Sequence, residues 1–182
     1  MGGMFDMLGK REPYGLIERS DTSLTLAAQT DSFVIRRTFT LSAERPSLCI
    51  TTAVTNTSDK PREIRMRSHT EWDLGALATT RVRFTDRQCR EVDQDMRRVI
   101  AELREGQYFR RDDTPDGSWT FTGSKGLAVT QRFDAAQVET AWLCAYPEDL
   151  GEIEAEIAAK PVTAGSGETV ALVQDLDVVR AP

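Results

Sequence analysis

Short segments of alternating apolar and polar residues recur along most of this chain, with turn-forming residues about every 8 to 12 positions. The stretch from Leu48 to Asn56 is typical, because it is rich in threonine and β-branched residues and is followed by a turn-forming run that extends to Pro61. About ten segments of this kind are typical of a two-sheet, all-β architecture. The pattern therefore predicts an antiparallel β-sandwich.

The order of these segments predicts how the first strands pair. Alternation from Leu16 to Leu41 is interrupted by turn residues at 19–21 and at 30–32, which predicts consecutive strands of a meander. Farther along, the segments Leu48–Asn56 and Arg62–Thr70 flank a turn and have the signature of an antiparallel hairpin. We therefore expect these two segments to be neighbours in one sheet.

One segment departs from strand periodicity. Between Asp93 and Gly106 apolar residues fall at helical spacing, with Asp93 or Asp95 able to cap the start and Gly106 able to end it. The apolar positions are Met96, Val99, Ile100 and Leu103. The part from Arg97 to Leu103 is equally compatible with a strand. We expect one short helix in an otherwise all-β fold.

Composition limits the possible partners. The 182 residues, 40% of them apolar, suffice for one core, so we expect a single domain over residues 1–182. A net charge of −6 with scattered arginines disfavours nucleic acid. No apolar run reaches the roughly 20 residues of a membrane helix, and residues 1–9 lack a basic leader, which predicts a soluble, cytoplasmic protein without a membrane partner. With three cysteines outside any CxxC spacing and one histidine, we expect neither a metal site nor a cofactor.

The only histidine, His69, lies on a predicted strand with a polar face. Period-two alternation places Arg65, Arg67, His69 and Glu71 on this face, opposite Ile64, Met66 and Ser68. A single histidine is often a structural residue, and that interpretation stays open. Any imidazole chemistry in this chain nevertheless depends on His69.

A second predicted strand carries a row of carboxylates. Glu152, Glu154 and Glu156 alternate there with apolar residues from Ile153 to Ala159. Such a row is either a solvent-exposed outer face or one side of a groove shared with His69. In the groove, a glutamate would act as a base and His69 as an acid on a hydroxyl group.

Two runs resemble the galactose mutarotase-like supersandwich superfamily. One extends from Val54 to Pro61 with an N-x-x-x-x-P pattern and is followed by Arg67–Gly75, where an aromatic residue and Leu-Gly come just behind the histidine. The other extends from Ala155 to Val170 and resembles the closing strands of that superfamily, with a carboxylate strand before a glycine turn. The resemblance spans most of the chain and implies a large antiparallel supersandwich that binds carbohydrate on a concave sheet.

The resemblance also implies roles for single residues. In the epimerases of this superfamily a histidine in the matching position acts as an acid on the ring oxygen, and a late-strand glutamate acts as a base on the anomeric hydroxyl. These roles fall on His69 and on Glu156 or Glu154. Those enzymes bring a second histidine from an earlier segment, which this chain lacks. The chain also enters the fold at Gly2 and Gly3, as if the first strands were absent.

Three hypotheses follow. The first is a carbohydrate-binding β-sandwich of mutarotase-like type, accessory or non-catalytic in isolation. The second is an aldose or sugar-phosphate 1-epimerase with a His/Glu acid–base pair and arginines that hold an acidic substrate. The third is an Ig-like structural or interaction module. Under the first two, the substrate-binding residues are Arg65, Arg67, Glu71 and Trp72.

Two further expectations concern Trp142 and an open sheet edge. Trp142 lies on an apolar strand face, which predicts a core residue, not a sugar-stacking one. A sheet edge left open by absent strands would favour a homodimer.

Overall fold

A computed structural model describes residues 13–102, 106–145 and 152–181. Strands make up 63% of the structure and helix 6%, which confirms the predicted all-β, antiparallel sandwich with one short helix. The expectations for residues 1–9 and for Leu103 lie outside the described residues. Within these residues, no helix is long and apolar enough to cross a membrane.

The chain divides into two compact units. The first comprises residues 1–67 and 159–175, and the second residues 68–158 and 176–182. The single-domain expectation for residues 1–182 stays a prediction.

The first unit is built on a meander. Four strands pair antiparallel in chain order, namely β1 (Gly15–Arg19), β2 (Ser23–Gln29), β3 (Phe33–Leu41) and β4 (Ser47–Asn56). The first part of a late strand, β15 (Thr169–Arg180), lies beside β4. The predicted turns are present, because Ser20 Oγ accepts the Ser23 N–H at 3.0 Å and Thr30 Oγ1 accepts the Phe33 N–H at 3.0 Å. The predicted meander is thus present.

The hairpin prediction is wrong. The segment after β4 splits into β5 (Arg62–Ile64) and β6 (Arg67–Asp73), and β5 pairs with β14 (Val162–Ala164) instead of with β4. The reason lies at Asn56, which is fully buried at the end of β4. Its Nδ2 donates to the carbonyls of Lys60 at 2.7 Å, Ala164 at 3.0 Å and Gly165 at 3.2 Å. The loop therefore folds back onto the Gly165 turn rather than into a two-strand hairpin.

The second unit contains two sheets. One has the order β15-β11-β10-β7-β8, with the end of β15, and the other has the order β6-β13-β12-β9. The remaining strands are β7 (Arg81–Thr85), β8 (Glu91–Asp95), β9 (Gln107–Arg110), β10 (Ser118–Thr122), β11 (Leu127–Phe133), β12 (Val138–Ala145) and β13 (Glu152–Ala159). Buried aromatic rings from both sheets meet edge to face, Phe109 from the smaller sheet against Phe84 and Trp119 from the larger one. This cluster is the core of the second unit.

In the described part of the chain, the α-helix is α1 (Met96–Glu102), which begins directly after Asp95, one of the two predicted capping residues. Asp93 belongs to β8, where Arg81 and Arg83 donate to its carboxylate at 2.8 and 3.1 Å. Asp95 accepts the Arg97 N–H at 2.8 Å and satisfies a backbone donor at the helix start. Met96 and Val99, two of the apolar positions at helical spacing, are buried.

Candidate functional site

His69 lies on β6, which borders β13 in the smaller sheet of the second unit. Thr70 next to it donates from Oγ1 to the Ala155 carbonyl at 2.6 Å and ties the two strands together. Since the side chains of a strand alternate between faces, Thr70 leaves His69 on the other face of β6. The histidine of one strand and the carboxylates of the next therefore share one face, although 85 residues separate Thr70 from Ala155 in sequence.

Three carboxylates surround the imidazole. Nδ1 contacts Glu156 Oε1, whereas Nε2 lies 3.0 Å from Glu71 Oε1 and 3.1 Å from Glu154 Oε1. The side chains of Glu154 and Glu156 are only 7% and 2% exposed, that of His69 is 20% exposed and that of Glu71 is 58% exposed. The cluster is thus buried at Glu156 and open to solvent at Glu71.

This asymmetry sets the orientation of the His69 imidazole. The close contact of Nδ1 with Glu156 Oε1 sets the ring orientation and directs Nε2 towards the open side. The reactive edge of the imidazole is then the one that faces Glu71 and Glu154. An arrangement of this kind can bind hydroxyl groups, transfer a proton or ligate a cation.

The end of β6 is anchored beside the cluster. Asp73 accepts from Lys125 Nζ at 2.5 Å and from the Gly75 N–H at 3.1 Å. The Lys125 hydrogen bond and then the Gly75 N–H hold the pKa of Asp73 below its ordinary value. Gly75 has φ +99°, a conformation that glycine adopts without strain, and so permits the turn that this anchor needs.

The structure brings four of the predicted site residues together, namely His69, Glu71, Glu154 and Glu156. The alternative of a solvent-exposed outer face is wrong for Glu154 and Glu156, because both carboxylates are buried. Sequence reasoning placed Glu71 among the substrate-binding residues and missed it as a direct partner of the imidazole. The available signal was the i, i+2 spacing of His69 and Glu71, which puts both on one face of a strand.

The other predicted binding residues are Trp72, Arg65 and Arg67. Trp72 is half-buried, and strand alternation places it on the face of β6 opposite His69. Arg65 is exposed between β5 and β6, and Arg67 is half-buried at the start of β6. Both arginines belong to the first unit, and their part in binding stays a prediction.

The expectation for Trp142 is wrong. Ala141 and Leu143 on either side of it are buried, so Trp142 points to the other face of β12. There it is half-buried and stacks on the exposed Tyr108, with ring centroids 5.5 Å apart and planes 14° apart. The core tryptophan of this unit is Trp119.

Known proteins were compared with the chain at the levels of sequence and structure. No family model and no curated protein matches the sequence. Solved structures match over nearly the whole chain. A galactose mutarotase-like protein from Lactobacillus casei has a TM-score of 0.67 and 11% identity, with 91% of this chain and 73% of that chain covered. The chain has the galactose mutarotase-like fold.

Two further structures with this fold show the same level of likeness. A galactose mutarotase related enzyme from Lactobacillus acidophilus has a TM-score of 0.69 and 12% identity, with 96% of this chain and 73% of that chain covered. A candidate aldose 1-epimerase from Escherichia coli K12 has a TM-score of 0.70 and 15% identity, with 92% and 68% covered. These matches confirm the predicted mutarotase-like fold.

Proposed function

We propose that this chain binds a carbohydrate at the face of the smaller sheet that carries His69, Glu71, Glu154 and Glu156. The observation that carries the proposal is an imidazole held from behind by a buried carboxylate, with its Nε2 edge turned to an exposed one. Sugar hydroxyls donate to carboxylates and both donate to and accept from an imidazole, so the cluster matches a polyhydroxylated ligand. The mutarotase-like fold supports the same assignment.

The charge of the cluster narrows the ligand class. Three carboxylates meet on one imidazole, so an anionic group placed at Nε2 would be repelled. A neutral sugar has no such penalty. We therefore expect neutral saccharides to bind more tightly than sugar phosphates and uronic acids.

Binding without turnover is our first choice, because the chain has one histidine whereas the superfamily resemblance implies two. A 1-epimerase is the second candidate, favoured by the 3.1 Å separation of His69 Nε2 and Glu154 Oε1. Glu154 would take the proton of the anomeric hydroxyl while His69 protonates the ring oxygen and the C1–O5 bond breaks. Rotation of the resulting aldehyde and the reverse transfers would give the other anomer.

Calorimetric titration with a panel of neutral mono- and oligosaccharides tests the proposal. We expect saturable heat with at least one neutral sugar and a weaker response to its 6-phosphate, measured with a chelator in the buffer. Absence of heat with every sugar would contradict sugar binding. Anomer interconversion above the buffer rate that disappears in Glu154→Gln would decide for the epimerase over simple binding.

The predicted homodimer through a sheet edge and the cytoplasmic location remain predictions that accompany this proposal.

A further inference from the structure

We propose that His69, Glu71 and Glu154 bind a divalent transition-metal ion of the Zn²⁺ class. One ligand atom from each residue lies within 4.8 Å of the other two. Nε2 is 3.0 Å from Glu71 Oε1 and 3.1 Å from Glu154 Oε1. The sequence predicts no metal site, because one histidine and two glutamates from separate strands form no recognisable ligand spacing.

The geometry at Nε2 favours an ion. A ring N–H points in one direction and makes a good hydrogen bond with one oxygen, whereas two carboxylate oxygens lie about equally near Nε2. A cation placed among the three atoms accepts a lone pair from each of them. The Glu71 side chain is exposed and can move outward. A small movement would lengthen the distance from Nε2 to Glu71 Oε1 and make room for an ion between these two atoms.

The contact behind the ring supports the same assignment. Metal-ligating histidines almost always donate their second ring N–H to a carboxylate or a carbonyl, which fixes the tautomer and raises the basicity of the ligating nitrogen. Glu156 occupies that position at Nδ1 of His69 and is 2% exposed. The imidazole is thereby presented with Nε2 as the ligand atom.

Charge and donor type indicate the class of ion. A divalent cation would reduce the charge of the three carboxylates and a neutral imidazole from −3 to −1 in a mostly buried setting. One nitrogen and two carboxylate oxygens suit Zn²⁺, whereas Ca²⁺ prefers about six to eight oxygens. Three protein ligands leave a coordination position on the exposed Glu71 side for water or a sugar hydroxyl.

Chelator-treated protein should be titrated calorimetrically with ZnCl₂ and, separately, with CaCl₂. The background should be Cys89→Ser, because Cys89 is an exposed free thiol and thiolates are Zn²⁺ ligands. We expect one Zn²⁺ per chain and a much weaker response to Ca²⁺. Glu71→Gln should weaken Zn²⁺ binding by about tenfold or more, since even outer partners of metal ligands are worth about 10- to 100-fold.

The matched control is Glu63→Gln, an exposed strand carboxylate of β5 whose loss changes the net charge equally. It should leave Zn²⁺ binding within about twofold of the parent. No Zn²⁺ binding, or equal binding by Glu71→Gln and the parent, would overturn the inference. The Zn²⁺ titration contains no sugar, and the sugar titration contains a chelator. A failure of metal binding therefore does not contradict sugar binding, and the reverse also holds.

Discussion

Replacing His69 with alanine is expected to weaken binding of a neutral sugar by about 10- to 100-fold, since a polar group that loses its partner in a buried site costs about 1–3 kcal/mol. The imidazole provides the Nε2 edge of the site, and its removal also withdraws the group that holds Glu71 and Glu154 together. Calorimetric titration of wild type and variant with the same sugar measures the change.

Stability must be separated from binding in this test. His69→Ala takes the imidazole away from the buried Glu156 carboxylate, and a buried polar group that loses a contact partner lowers stability. The double variant His69→Ala/Glu156→Gln replaces that carboxylate with a neutral amide. We expect it to regain stability in thermal melts and still to bind sugar as weakly as His69→Ala. Wild-type affinity in either variant would contradict a role for His69 in binding.

Replacing Trp119 with alanine is expected to destabilise the fold by about 3–5 kcal/mol, the range for loss of a large core aromatic. Trp119 is 1% exposed, contacts Phe121 at a centroid distance of 5.2 Å and donates from Nε1 to Gln131 Oε1 at 2.6 Å. The substitution leaves a cavity in the aromatic cluster and removes the indole donor from a buried amide. Urea unfolding followed by circular dichroism gives the free energy of unfolding.

Trp142→Ala is the matched control, because it removes the same side chain from a half-buried site. Its ring stacks on Tyr108, and such a pair contributes about 0.5–1.5 kcal/mol beyond the buried area. We expect a clearly smaller loss of stability than for Trp119→Ala. An equal or larger loss for Trp142→Ala would show that the core has been placed at the wrong tryptophan.

Trp142 and Trp119 show when the alternation of a strand identifies its buried face and when it does not. On β12 apolar residues occupy both parities, with Val138, Ala141 and Leu143 all buried. Alternation alone therefore gives no basis for choosing the inward face of β12, which is why the prediction of a core Trp142 is wrong. Trp119 alternates with threonine and serine on β10, a pattern that has a single apolar face.

Pairing between strands was predictable only where it was local. The meander from β1 to β4 follows from short turns that their own serine and threonine side chains stabilise. The proximity of His69 to Glu154 and Glu156 depends on β6 lying beside β13, a contact between distant segments that no local pattern specifies. The sequence therefore predicted polar faces for both strands, and the superfamily resemblance supplied the reason to bring them together.

The buried state of the carboxylates was the least predictable feature of the site. A row of glutamates on a strand normally indicates a solvent-exposed face, and the apolar residues between them fit that interpretation equally well. The structure buries Glu154 and Glu156, and both contact His69 of the neighbouring strand. Burial of this kind depends on a partner strand and not on the glutamate strand itself.

The most direct test of the account uses the fact that the chain has a single histidine. In ¹⁵N-labelled protein, long-range ¹H–¹⁵N correlation of the imidazole reports on Nδ1 and Nε2 of His69 alone. With chelator present and a neutral sugar added, we predict a saturable shift of Nε2, with a smaller change at Nδ1, which Glu156 holds. Imidazole resonances that stay fixed while calorimetry shows the sugar binding would contradict a carbohydrate site at His69.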